Sequence, residues 1–298
     1  MKIRIGFGLG TRTVTNDAER FGSFVDDLER LRFDSLWLSE RVTAVAPDPV
    51  VALAFAAGRT TKLKFGMSVM VLPGRNPVLL AKELATLDRL SNGRLLPAFG
   101  LGVVDPREQQ AFGVRREDRG KIFDEALPLI RRFWLEDKVD HDGPFFQYEA
   151  MSVRPKPVQQ PPDVWLGGIA PSELRRVGRL SDGWLPSFCV ADDIRDALPV
   201  ITAEADRHDR AIDPEHIGAL IAYRRGPLDD AFAAVIAQRR PGVDPAQLFP
   251  EGLAGVRTTI EQMIEAGASK FVVLPAQEPD DWTAELEEVA DALFPLQN

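Results

Sequence analysis

The chain has little of the chemistry that most readily marks a site. One cysteine, Cys189, in 298 residues excludes an internal disulfide framework and a multi-thiolate metal cluster. The three histidines, His141, His208 and His216, are scattered along the chain and argue against a zinc or haem centre. No run approaches the roughly 20 apolar residues of a membrane span. The opening Met1–Gly10 carries no long apolar leader core, so no signal peptide is expected and the chain reads as cytoplasmic. Positive charge is in deficit. Lys+Arg 36 against Asp+Glu 45 gives −9, which argues against nucleic acid as a partner.

What is present is ordinary globular composition, 45% hydrophobic and 27% charged. Short apolar runs alternate with longer amphipathic stretches. The runs are Ile3–Leu9, Ser35–Ser39, Lys64–Leu72, Leu95–Leu101, Val164–Gly168, Gly183–Phe188, Ile217–Ala222 and Lys270–Pro275. Several are apolar nearly throughout, as parallel strands covered on both faces require. Helices are expected over Asp17–Leu31, Val78–Leu90, Arg119–Leu135, Ser172–Leu180, Ile194–His208, Asp229–Arg239, Val256–Ala266 and Asp281–Leu293. For Val78–Leu90, Asn76 is a good N-cap, Pro77 suits the first helical position, and Asn92-Gly93 follows as a stop. Eight strands alternating with eight helices predict a (β/α)8 TIM barrel. A doubly wound open sheet is the structural alternative, but no linker sets off the second domain it would need. Two segments break the rhythm: Val103–Asp118 after the fourth strand, and the proline-rich Asp137–Pro162 before the fifth. Both are expected to be loop insertions. Arg240–Gly255 is a third irregular stretch.

A barrel of this kind carries its site at the carboxyl ends of its strands. No His-x-His follows the first strand, no Ser-His-Asp set is evident, and only Glu40, with Asp105 further downstream, offers a carboxylate. Glycine-rich turns with scattered arginines remain. Gly167-Gly168, just ahead of a helix start, reads either as an anion-binding turn or as a tight turn needing glycine for its geometry. Gly100-x-Gly102 is equally ambiguous. Glu40-Arg41 reads either as an exposed ion pair or as charge set against a ligand ring. Trp37, Trp165 and Trp184 read as core, and the reactivity of Cys189 is not legible.

The order and spacing of several segments go further. Phe33-Asp-Ser-Leu-Trp-Leu-Ser-Glu-Arg41 precedes Pro47-Asp-Pro49 and Thr61-Lys-Leu-Lys-Phe-Gly-Met-Ser-Val-Met-Val-Leu-Pro73. Then come Arg75-Asn-Pro77, Leu87-Asp-Arg-Leu-Ser-Asn-Gly-Arg94, Trp165-Leu-Gly-Gly168 and Ser181-Asp-Gly-Trp184. Together these resemble the luciferase-like monooxygenase superfamily, and within it the coenzyme F420-dependent oxidoreductases, over about residues 2 to 190. The resemblance implies one barrel domain over 1–298, a homodimer, and a deazaflavin (F420) or FMN at the strand ends. It implies a non-prolyl cis peptide at Ser68-Val69 backing the ring. It also implies cofactor phosphate at Gly167, Gly168 and Ile169 and near Gly100, Gly102 and Val103, with Glu40 at the ring edge and Arg41 binding cofactor or substrate charge. The sugar-phosphate dehydrogenases of the family carry Asp-His where Glu40-Arg41 stands, and a Glu where Val103 stands. Their acid/base pair is therefore missing, and arginine is no base near neutral pH.

The resemblance thus implies an F420-dependent oxidoreductase acting on a small-molecule substrate, with no catalytic residue assigned. Arg41, Arg75, Arg107, Arg115 and Arg116 are the candidate cations for an anionic cofactor tail. An FMN-dependent monooxygenase and a non-catalytic flavin- or deazaflavin-binding protein are the alternatives.

Overall fold

A computed structural model describes residues 1–298. Strand β1 (Arg4–Leu9), helix α1 (Ala18–Leu31), strand β2 (Ser35–Leu38) and helix α2 (Pro49–Arg59) form the first two βα units. The third strand comes as two pieces, β3 (Lys64–Met67) and β4 (Met70–Val71), before α3 (Pro77–Leu90). The fourth is likewise split, β5 (Leu95–Leu96) and β6 (Ala98–Gly100), around Pro97. Helices α4 (Pro106–Phe112) and α5 (Arg119–Leu135) follow, then the hairpin β7 (Val139–Asp142) and β8 (Gln147–Met151). Next are β9 (Trp165–Leu166), α6 (Pro171–Leu180), β10 (Gly183–Trp184) and α7 (Ala191–Asp206). The chain finishes with β11 (Gly218–Tyr223), α8 (Asp230–Arg239), α9 (Pro245–Leu248), α10 (Gly252–Glu265), β12 (Lys270–Pro275) and α11 (Trp282–Leu293).

All pairings except the hairpin are parallel. One sheet runs β11-β12-β1-β2-β3-β5 and a second runs β10-β9-β6-β4, the two sharing the split third and fourth strands. At the seam between β10 and β11, isolated bridges Trp184–Ile217 and Ser187–Leu220 replace a full ladder. The eight strands thus follow one another around a barrel in chain order, as expected from their spacing. Every residue of β2 and of β12 is buried, which is why those runs read as continuously apolar. Trp37, Ala98, Trp165, Leu185 and Val272 form a cluster of their own, apart from the larger core packed with the helices. Trp37 and Trp165 meet edge to face at 6.2 Å. The three candidate tryptophans are core.

Helix starts follow the capping chemistry. Asp17, Asp48 and Asn76 each accept a backbone N–H of the helix they precede, and Pro49 and Pro77 open α2 and α3. Four expectations need correction. Helix α2 was not expected, because Val50–Ala57 is apolar around most of its circumference and shows no one-sided stripe. Asp229–Arg239 does form α8, but the helix that packs on β11 in the barrel's outer layer is α10. Helices α8 and α9 are an excursion with a small core of Ile236, Leu248 and Phe249. The insertion after the fourth strand contains α4 rather than open loop. The insertion before the fifth contains the hairpin, which Glu125 of α5 holds through the N–H groups of Phe145 and Phe146.

The two ends of the barrel differ in kind. At the amino ends of the strands, Asp34 is ringed by Lys270, Lys64 and Arg4. Burial opposes its charge, but Lys270 and Lys64, with hydrogen bonds from Lys270 and Ser35, bring its carboxyl down to about 2. No helix is long and apolar enough to cross a membrane.

Candidate functional site

The opposite end holds a cavity of about 420 Å³. Every strand end contributes to it: Gly10 after β1, Glu40 and Arg41 after β2, Ser68 and Val69 in the third strand, and Gly100 at the end of β6 with Leu101, Gly102 and Val103 after it. Gly167 and Gly168 follow β9, Ser187 and Phe188 follow β10, and Ala222 and Leu274 come from β11 and β12. The volume lies within the range of sites that enclose cofactor-sized ligands. Nine of the ten candidate residues line this one space. Ile169 does not.

The back wall is the break in the third strand. The Ser68–Val69 peptide bond is cis, at the dipeptide where it was expected. Ser68 N–H donates to Leu38 at 2.8 Å, and the Ser39 hydroxyl donates to the Ser68 carbonyl at 3.0 Å. Val69 then stands against two glycines. A Cβ on Gly100 would fall 2.4 Å from Val69 Cγ2, and one on Gly167 would fall 3.5 Å from Val69 Cγ1. Gly100 is therefore glycine because a side chain of the wall occupies its Cβ space.

Glu40 anchors the same wall. Its side chain is 4% exposed, accepts the Val71 N–H at 2.7 Å, and is paired with Arg75. Burial pushes its carboxyl up, more than Arg75 and the Val71 amide pull it down. Arg75 is thereby consumed as an internal partner and is not offered to a cofactor tail. Arg107 and Arg115 are likewise tied, to Asp105 and Asp118. Arg41 lines the cavity, held 3.2 Å from Asp105 and 3.8 Å from Glu108. Hydrogen bonds from Arg107 hold the Asp105 carboxyl down to about 2, so it is no general acid near neutral pH.

The turn after β9 departs most from expectation. Gly168 has φ +91, which favours glycine, and a Cβ there would fall 2.5 Å from the Glu173 carboxylate. That carboxylate accepts the N–H groups of Ile169 at 3.1 Å and Ala170 at 3.0 Å. Of the three residues expected to cradle phosphate there, Ile169 thus has its amide capped by the protein's own anion. The turn after β6 is pinned differently, by Arg119, which donates to the carbonyls of Leu101, Gly102 and Val103.

Glu108, Glu173, Arg176 and Arg239 also line the cavity, and none of them was singled out from sequence. All four sit on helices, where no strand-end position marks them. Cys189 is buried and its thiol is pushed up to about 12, which makes it inert. No cluster of three His, Cys, Asp or Glu side chains is placed to hold a metal.

The site is thus an open-mouthed slot, apolar on its walls and backed by Val69, with its carboxylates and most of its arginines already paired. It leaves the reactive chemistry to the ligand that enters it. Among known proteins, the phthiodiolone/phenolphthiodiolone dimycocerosates ketoreductase of Mycobacterium tuberculosis is 26% identical over 237 residues, 69% of this chain and 62% of that one. The F420-dependent glucose-6-phosphate dehydrogenase of Kineococcus radiotolerans is 28% identical over 176 residues, 56% of this chain and 51% of that one. The chain therefore spans less than two thirds of the length of either relative. The oxygenating constituent of 3,6-diketocamphane monooxygenase from Pseudomonas putida, solved with FMN, superposes with a TM-score of 0.79. It covers 100% of this chain and 99% of its own at 17% identity, a likeness of fold. The family model for luciferase-like monooxygenases matches residues 2–290, and the chain belongs to that family.

Proposed function

We propose that the protein is an F420-dependent oxidoreductase acting on a small organic substrate. The observation that carries this reading is the cavity to which all eight strand ends contribute, lined by Val69 and with its carboxylates already engaged by backbone N–H groups and by Arg75. When bound, F420 would supply the hydride chemistry that these side chains lack. The chain's own part is orientation and shielding. Ser68, Val69 and Gly100 would back the ring. Glu40 and Arg75 hold that wall rigid, and Arg41, fixed by Asp105, would place one positive charge near the ring edge. Leu101, Leu166 and Leu220, which line the same cavity, would shield the bound ring from water. An activated C=C, C=N or carbonyl substrate suits a site with no free acid/base pair, and the ketoreductase relative favours the carbonyl.

Cofactor titration tests this reading. F420 is expected to bind at micromolar concentration or tighter, with reduced F420 consumed in the presence of enones, imines or ketones. Tight FMN binding with no F420 binding would overturn it in favour of a monooxygenase, the reading supported by the family's FMN-bound structure. Binding of F420 without turnover across the panel would favour a carrier.

We infer further that two copies assemble. Helices α2 and α3 pack side by side and leave Val51 71% and Leu79 63% exposed.

A further inference from the structure

The charged side chains lining the cavity are almost all accounted for within the protein. Glu40 pairs with Arg75, Glu108 accepts the N–H groups of Val42 and Thr43, and Glu173 accepts those of Ile169 and Ala170. Arg41 faces Asp105, and Arg176 faces Asp124 at 2.7 Å. Arg239 is the exception. It lies at the exposed mouth of the cavity, lines it, and makes no ion pair and no side-chain hydrogen bond. Its guanidinium carbon lies 3.9 Å from the centre of the Phe188 ring. Stacking satisfies the face of a guanidinium and leaves its in-plane N–H edge free.

Packing fixes the ring on which the exposed Arg239 stacks. Phe188 adopts φ +54, in the left-handed region that a bulky residue enters only when its surroundings enforce it. Its ring is packed edge-on against Phe249 at 5.7 Å, and Phe249 in turn against Phe232 of α8 at 5.0 Å. The next residue, Arg240, donates to the Phe188 carbonyl and grips both oxygens of Asp193 at 2.9 and 3.0 Å. The carboxyl end of α8 is thereby bolted to the strand end that carries Phe188. The nearby Arg41 adds a second positive charge and lowers the pKa of Arg239 further than burial alone.

We propose that Arg239, stacked on Phe188, binds an oxyanion, a carboxylate or a phosphate, of the ligand that enters the cavity. The site rests on the cavity being a ligand site, as the proposed function holds, but not on which cofactor fills it. The anion belongs either to the substrate or to the cofactor, and a planar, bidentate acceptor matches the free edge of Arg239.

Calorimetric titration of the cofactor-free protein with benzoate, 4-acetylbenzoate and phenyl phosphate, against neutral acetophenone, tests this directly. Wild type is expected to bind an anionic probe at least about ten-fold tighter than acetophenone. R239M should abolish that preference, R239K should retain part of it, and both should keep the wild-type melting temperature. F420 and FMN titrations of the same variants then locate the source. A ten-fold loss of cofactor affinity in R239M assigns the anion to the cofactor, and unchanged affinity assigns it to the substrate. Equal binding of charged and neutral probes by wild type, no binding of any probe, or an anion preference surviving in R239M would overturn the proposal. An anion preference that depends on Arg239 in a protein that binds no F420 would sink the cofactor reading and leave this one standing.

Discussion

Single residues divide the work between the two ends of the barrel. Asp34 is a stability residue. Its folded pKa, about 2, lies below its ordinary 3.8. The stability it supplies is therefore complete above the unfolded value and drains away as pH falls through about 2. Urea unfolding across that range should show the loss, and D34N should flatten it. D34N should also cost about 3–5 kcal/mol at neutral pH, because Lys270 is left buried without its partner. A pH profile identical in the two proteins would refute the assignment. Val69 and Gly100 form the corresponding pair at the site. G100A should cost about 1–3 kcal/mol by forcing Val69 from its seat. V69A added to G100A should recover most of that loss, and additive effects in a double-mutant cycle would count against the contact.

At the level of elements, the excursions are held by polar pins. The β7–β8 hairpin carries few buried side chains of its own. Glu125 holds it, 10% exposed, accepting two backbone N–H groups and contacting His141 at 3.0 Å. E125A should raise hydrogen exchange over Val139–Met151 by roughly ten-fold or more, about 1–3 kcal/mol of local stability. Exchange in β1, β2 and β12 should be unchanged, and uniform protection loss would instead mean that the hairpin unfolds with the barrel. Such pins were not legible in the sequence. The third and fourth strands, the strand-end glycines and the cap at Asn76 were, because each rests on a pattern within a few residues. A carboxylate capping amides twenty residues away leaves no local pattern. Helix α2 was missed for a related reason: apolar side chains around most of its surface give a helical period nothing to register.

For the whole molecule, the prediction concerns association. Static light scattering at micromolar concentration should give about twice the chain mass of 33.0 kDa. V51E combined with L79E should halve it, since two charges in an apolar contact are not desolvated cheaply. A wild-type monomer would dispose of the dimer.

The chain order of apolar runs and amphipathic stretches was enough to define a parallel barrel with a cavity at its strand ends, because periodicity and burial on two faces are properties of consecutive residues. The same local order brought nine of the ten candidate residues to one cavity, since strand ends in such a barrel converge whatever their separation in the chain. The state of those residues was decided only by packing. Whether an arginine is free or spent, as Arg239 and Arg75 are, depends on which carboxylate the fold sets beside it. Whether the amides after Gly168 are open or capped depends on where Glu173 turns. These are through-space pairings between side chains whose reach exceeds any spacing rule, and tertiary structure alone determines them.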